Sequence, residues 1–343
     1  ADEYRHFVWR RLLCLVLLTV AALVALLVDI ASGPSMLGLA DVIQGLLNPD
    51  SVDAGTRVII EDIRLPYALM AVVVGACLGL AGAEMQTVLN NPLASPFTLG
   101  VGAAATLGAS LVIVFNVSVL GLAAHVLMPL SAFVFAAAAS LIILVLSRSL
   151  GASVHAVVLF GIALLFGINA LVGLIQFIAD AESVQQIVCW TMGSLARASL
   201  DKVAIVALVL VVCLPFSLGN AWAMTLLRSG EEQARSLGIR VERMRLLVLL
   251  RVSLLTAVAM CFVGEIGFIG LVAPHIARLM LGEDHRFLLP GSALAGAVLL
   301  SLSSIASKLL VPGVVLPVGI VTALVGIPLF IALIVGRGRR VAI

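Results

Sequence analysis

The stretch Leu12–Val28 reads LLCLVLLTVAALVALLV, with Thr19 as its single hydroxyl-bearing side chain. Coiled as a helix it is apolar on every face, and it lacks the alternation that a half-buried strand needs. A second run, Leu130–Leu146, reads LSAFVFAAAASLIILVL and has the same character. Segments this long and uniform cross a bilayer as helices, because a helix pairs its backbone groups internally; the strands of a membrane barrel would alternate apolar and polar over ~10 residues. Composition extends the reading to the whole chain, since 62% of the 343 residues are hydrophobic and only 11% are charged. The mean hydropathy of +1.24 lies far above that of soluble proteins. At ~20 residues per crossing, this apolar content matches about ten spans. The expected class is an all-α polytopic membrane protein, with residues 1–343 forming a single transmembrane domain. Soluble enzymes and nucleic-acid-binding proteins are excluded with that reading.

Working outward, apolar windows bounded by charged, Pro-rich or Gly-rich breaks fall near 12–30, 66–89, 97–115, 122–146, 154–178, 200–217, 246–264, 268–282, 288–310 and 316–335. With the N-terminus inside, fifteen of the 20 basic residues fall on the cytoplasmic side, including Arg148, Arg251 and Arg278. The outside keeps Arg57, Arg64, Arg197, Lys202 and Lys308. That asymmetry is the one expected from the positive-inside rule, and it places both termini in the cytoplasm after an even number of crossings. Arg5, Arg10 and Arg11 precede the first run as they would in a signal peptide, but the run continues to about Ile30 and is expected to stay as the first helix. The 268–282 window is short for a full span and is expected to be broken or partly interfacial. Trp9, Trp190 and Trp222 fall at predicted membrane edges, where indole rings prefer to sit.

Two segments outside the spans are long enough to carry function. Residues 32–63 are acidic and expected outside, with an amphipathic stretch around Leu39–Leu47. Residues 218–245 are basic and expected inside, and Glu231–Leu237 should form a short helix stopped by Gly238. Nucleotide-hydrolysis, zinc-protease and serine-hydrolase motifs are missing, so the chain is expected to be no enzyme and to bind neither a metal nor a cofactor of its own. The five cysteines show no C-x-x-C spacing and read as small hydrophobes. Glu84 and Glu265 are the acids placed in or between the spans, each marking either a polar contact inside the bundle or the transport pathway. Small-residue runs from Gly75 to Ala83 and from Gly291 to Gly296 suit close helix packing.

An ordered set of blocks resembles the permease subunits of FecCD-type ABC importers. These are Arg64-Leu-Pro66, Gly82-Ala-Glu-Met-Gln86, Asn91-Pro-Leu-Ala-Ser-Pro96, Trp190-Thr-Met-Gly193, Glu232-Gln-Ala-Arg-Ser-Leu-Gly238, Gly267 to Arg278 around Pro274-His275, Asp284-His-Arg286, and Leu316 to Pro328. The resemblance implies inverted repeats in a permease dimer, homo- or heteromeric, embedded in membrane lipid of the cytoplasmic (inner) membrane. It further implies two ATPase subunits that hold ATP and Mg, an outer substrate-binding protein, and inward transport by alternating access. It assigns ATPase coupling to Glu231, Glu232, Ala234, Leu237, Gly238 and Arg240, and a cytoplasmic gate to Ser147, Arg148, Gly151 and Ser153. Docking of the binding protein would fall to Arg64 and Lys308, with Tyr67 standing where a second Arg is usual. Glu84, Gln86, Asn91, Glu265, His275 and Arg278 become candidates for the pathway or its polar core. Two further departures are Ser304, where an Asp is common, and Asn90, where an Arg is. The implied cargo is an iron chelate, ferric siderophore first, with haem and cobalamin as alternatives. An ion-coupled secondary transporter using Glu84 and Glu265 is the rival from another class.

Overall fold

The computed structural model describes residues 2–33, 38–48, 51–116, 124–149 and 154–341. In chain order the helices are α1 (Asp2–Ala31), α2 (Leu39–Leu47), α3 (Ala54–Val58), α4 (Leu65–Val88), α5 (Val101–Phe115), α6 (Ala124–Ser149), α7 (Val154–Ile178) and α8 (Ala181–Thr191). They continue as α9 (Leu200–Gly219), α10 (Ala221–Ser229), α11 (Glu231–Ser236), α12 (Val241–Val263), α13 (Ile269–Leu281), α14 (His285–Leu309) and α15 (Val318–Val341). Seven stretches are long and apolar enough to cross a membrane, and three shorter apolar helices, Val101–Phe115, Ile269–Leu281 and Val318–Pro328, occupy the other predicted windows. With 13 residues, α13 is about 20 Å long, well short of a ~30 Å hydrocarbon core, as its window suggested.

Local chemistry sets where the helices begin. Asp180 caps α8 by accepting from Ser183 N at 2.7 Å, and Asp284 caps α14 by accepting from Arg286 N at 3.0 Å. Before the second span the structure departs from the expected loop. A π-helical turn, Ile59–Arg64, joins α3 to α4, so Ala54–Val88 is one continuous helical stretch and residues 54–63 are helix rather than loop.

The core is built around α4, whose residues are buried along nearly its whole length against α12, α13 and α14. Close approach there requires glycine: a Cβ on Gly75 would collide with the Gly296 carbonyl, one on Gly79 with the Ser292 carbonyl, and one on Gly82 with the Gly270 carbonyl. A second layer, α5 to α8, packs beside it. Polar residues interrupt this apolar body at three levels along α4. The face on which α1 begins is called here the N-terminal face, and the other the far face. Trp9 is 68% exposed, as an interfacial anchor should be, whereas Trp190 is 1% exposed. Trp190 is therefore a packing residue rather than an anchor, with the Arg197 guanidinium 4.5 Å from its ring centroid.

Candidate coupling site and polar core

On the N-terminal face, α10 leads through Gly230 into α11, and the chain leaves α11 through Leu237 and Gly238. Gly238 takes φ +84° while its N–H donates to Arg235 O at 3.0 Å, and Ile239 N–H reaches Ala234 O at 3.1 Å. This is the glycine exit expected from the sequence. Ala234 is fully buried and anchors the helix, while Glu232, Leu237 and Arg240 point to solvent. Arg235 bonds Glu231 at 2.7 Å and also Glu242, and it holds the Glu231 carboxyl below the usual carboxylate range.

Three contacts clamp this unit to the bundle. Arg245 of α12 donates to Val88 O at the end of α4 (3.2 Å) and pairs with Glu231 (3.2 Å). Arg228 of α10 donates to Asn90 Oδ1 at 2.7 Å, so the residue standing in place of an Arg receives one from across the fold. His285, the buried first residue of α14, sits between Thr87 Oγ1 of α4 (2.7 Å) and Thr225 Oγ1 of α10 (3.1 Å). Side-chain hydrogen bonds therefore connect α11 to the end of α4, and α10 to both α4 and α14.

Deeper in the bundle lies an ion pair. Arg251 donates to both Glu84 oxygens from Nε (2.9 and 3.0 Å) and to Oε1 from Nη2 (2.5 Å). Arg251 is thus a buried partner within α12 and not a loop charge that sets topology, which corrects its place in the basic count. Arg278 is corrected in the same way. It is buried on α13, bonded to Gln86 Oε1 at 3.2 Å and to Glu283 at 3.1 Å, while Gln86 also donates to Leu271 O at 3.3 Å. His275 lies buried on the same helix, and Asn91 Oδ1 accepts from Leu93 N at 2.9 Å, shaping the turn that follows α4. Glu265, in the break between α12 and α13, packs its side chain against Gly102 of α5, where an added Cβ would come within 2.7 Å of Oε1.

On the far face, the residues expected to dock the binding protein are enclosed by their own fold. Arg64 is 4% exposed and Lys308 7%, and each bonds within the chain. Arg64 donates to the carbonyls of Ile30 (3.1 Å) and Ala31 (2.8 Å). Lys308 Nζ pairs with Asp29 Oδ1 at 2.7 Å, donates to Asp29 O at 2.9 Å and lies 4.4 Å from the Tyr67 ring centroid. Ser304 Oγ lies 2.7 Å from each Asp29 carboxylate oxygen. An ammonium at the end of a span needs a counter-charge, and α1 supplies the carboxylate that position 304 lacks. Asp29 was therefore a third acid inside a predicted span, and its position within the 12–30 window was the available signal. Thr87, Thr225, His285 and Arg245 were also missed, because each acts through a neighbour distant in sequence. For the gate, Gly151 and Ser153 lie outside the described residues, as do the side chains of Ser147 and Arg148.

A bundle in which seven helical stretches are long and apolar enough to cross a bilayer is the architecture of a multi-pass membrane protein. Residues 18–336 match the FecCD transport family. The chain is 38% identical over 320 residues to the hemin transport system permease protein HmuU of Yersinia pestis, covering 93% of this chain and 95% of that one. It is 32% identical over 336 residues to the Fe(3+)-citrate import system permease protein YfmE of Bacillus subtilis, covering 96% and 97%. Among solved structures it resembles, at a TM-score of 0.82 and 29% identity, an inward-facing ABC transporter assigned to the metal-chelate type, covering 94% of this chain and 98% of that one. The chain belongs to the FecCD transport family and is an ABC transporter permease, the membrane component of a system in which the ATPase is a separate subunit.

Proposed function

We propose that this chain is the permease of an ATP-driven importer that moves an iron chelate inward, a ferric siderophore foremost, with haem and cobalamin as the alternative cargoes. The observation that carries the reading is the clamp of the α10–α11 unit to α4 and α14, through Arg245 at α11 and through Arg228 and His285 at α10. A solvent-facing helix of 6 residues tied to the central helix suits a lever better than a tether. Two ATPase subunits closing on ATP would push α11 of each permease in a homo- or heterodimer. The push would pass to α4 and α14 and change which side of the bundle is open. A binding protein would deliver the chelate on the far face, the outer side of the cytoplasmic (inner) membrane, with both termini in the cytoplasm. The relatives named for hemin and Fe(3+)-citrate support an iron chelate as cargo.

The secondary-transporter reading loses support because Glu84 is held on both oxygens by Arg251, which leaves little room for a proton to cycle on it. Reconstituting the permease with its ATPase and binding protein in vesicles tests the proposal. Ferric siderophore uptake should require ATP and survive a protonophore; uptake abolished by the protonophore and indifferent to ATP would overturn it.

A further inference from the structure

A cavity of about 610 Å³ opens on the N-terminal face between the first helix and α13. It is lined by His6, Phe7, Arg10 and Arg11 of α1 and by Met280 and Leu281 at the end of α13. Its volume is that of a small-molecule site, and its two walls differ in chemistry. On one side, Arg10 is exposed at the boundary where the apolar run of α1 begins. Beside it the Arg11 guanidinium lies 3.7 Å over the Phe7 ring, with Nη1 closed off from solvent and holding no hydrogen bond. The carboxylate nearest that nitrogen, Asp284 Oδ2, is 3.4 Å away and already receives Arg286 Nη2 at 2.7 Å. Two guanidiniums, Arg11 and Arg286, thus share the Asp284 carboxylate, and Arg10 adds a further exposed cation to the lining. Gly282, at φ +77°, completes the floor; a Cβ there would press on Arg11 Nη2 at 2.8 Å.

The other wall is apolar, with Met280 exposed in it, and the neighbouring residues along the two helices, Leu12 and Leu13 of α1 and Leu279 of α13, are exposed apolar side chains of the kind that face lipid. Trp9, exposed on the same turn as Arg10, sets the depth at the membrane–water interface. A soluble anion would gain nothing from this wall, and an acyl chain would gain nothing from the rim. A molecule with a phosphate at one end and a hydrocarbon chain at the other satisfies both.

We propose that this cavity binds one anionic phospholipid of the leaflet on the N-terminal face, its phosphate on Arg10 and Arg11 and an acyl chain along Met280 and Leu281. Basic pockets between transmembrane helices at headgroup depth recognise anionic lipids in this manner. The inference needs only that the chain spans a bilayer, and it is independent of the cargo. An occupant would pin α1 to α13, the helix whose Arg278 and Glu283 contacts lead to the α10 clamp.

Native mass spectrometry of the delipidated full-length protein, titrated with phosphatidylglycerol and with phosphatidylcholine of the same chain length, tests it. One phosphatidylglycerol per chain should bind at concentrations where phosphatidylcholine does not. Removing one surface cation by Arg10→Gln should weaken that binding about fivefold, and Arg10→Lys should restore most of it. Arg243→Gln, an exposed arginine of α12 outside the cavity, should leave binding unchanged, and millimolar inorganic phosphate should not displace the lipid. Equal retention of the two lipids, an equal loss in Arg243→Gln, or displacement by phosphate alone would each overturn the proposal; the last would mark a free-anion site.

Discussion

Glu84 and Arg251 meet where α4 passes α12, and the pair decides what a substitution there does. A buried ion pair adds little beyond what a well-packed apolar pair would, but removing one partner strands the other in a medium that cannot solvate it. Glu84→Gln should therefore lower the stability of the detergent-solubilised protein by about 3 to 5 kcal/mol. Glu84→Leu combined with Arg251→Met should recover most of that loss. Thermal unfolding of both variants beside the wild type checks this, and a wild-type midpoint for Glu84→Gln would show that the carboxylate is not held as described. The same logic applies to Lys308. Because its ammonium is enclosed by Asp29 and Tyr67, Lys308→Met should destabilise the fold and leave the salt dependence of binding-protein association unchanged. Surface plasmon resonance across a salt series separates the outcomes, since a flattened salt dependence would return Lys308 to the docking surface.

Among the elements, α11 follows its sequence expectation to within one residue. Acidic residues open it, Ala234 anchors it, and Gly238 ends it in a left-handed conformation that proline cannot adopt. Gly238→Pro would also delete the N–H that reaches Arg235 O. The variant should insert and fold, since no span is touched, yet lose most transport and most transport-linked ATP hydrolysis in the reconstituted complex. Normal uptake at normal expression would count against a lever at α11. The short helices carry a different lesson. α5 and α13 both begin inside the bundle, where residues 96–97 meet residues 267–270: Pro96 Cδ lies 3.6 Å and a Phe97 ring carbon 3.4 Å from the ideal Cβ positions of Gly270 and Gly267. Irregular backbone at that depth is tolerated because protein, not lipid, surrounds it.

At the scale of the molecule, orientation rests on charge. Removing Arg64, Lys308, Arg251 and Arg278 from the count, because they are buried, takes two from each side and leaves the basic excess on the N-terminal face. The chain carries its own probe, since Cys189 of α8 is exposed while Cys77, Cys213 and Cys261 are buried. An impermeant thiol reagent applied to intact cells should label Cys189, with Cys189→Ala as the blank. In the Cys189→Ala background, Arg243→Cys should label only after the membrane is opened. Labelling of Arg243→Cys from outside would invert the topology.

Residues 12–28 alone determined the class, because a run that is apolar all round has no stable place except a bilayer or the middle of a bundle. Periodicity and glycine placement likewise determined the α11 helix, a local feature whose exit depends on neighbours within eight positions. What only the tertiary structure decided is which charges are on the surface. Asp29 and Lys308, or Glu84 and Arg251, lie far apart in the chain, and each residue read alone resembles a loop charge or a pathway carboxylate. Their pairing is set by which helices touch, and helix contact in a membrane follows small residues and backbone approach, as at Gly75, Gly79 and Gly296, which carry no label for the partner they admit. The desolvation of a charge is a property of its surroundings, so the sequence could place these ions along the helices but could not say what enclosed them.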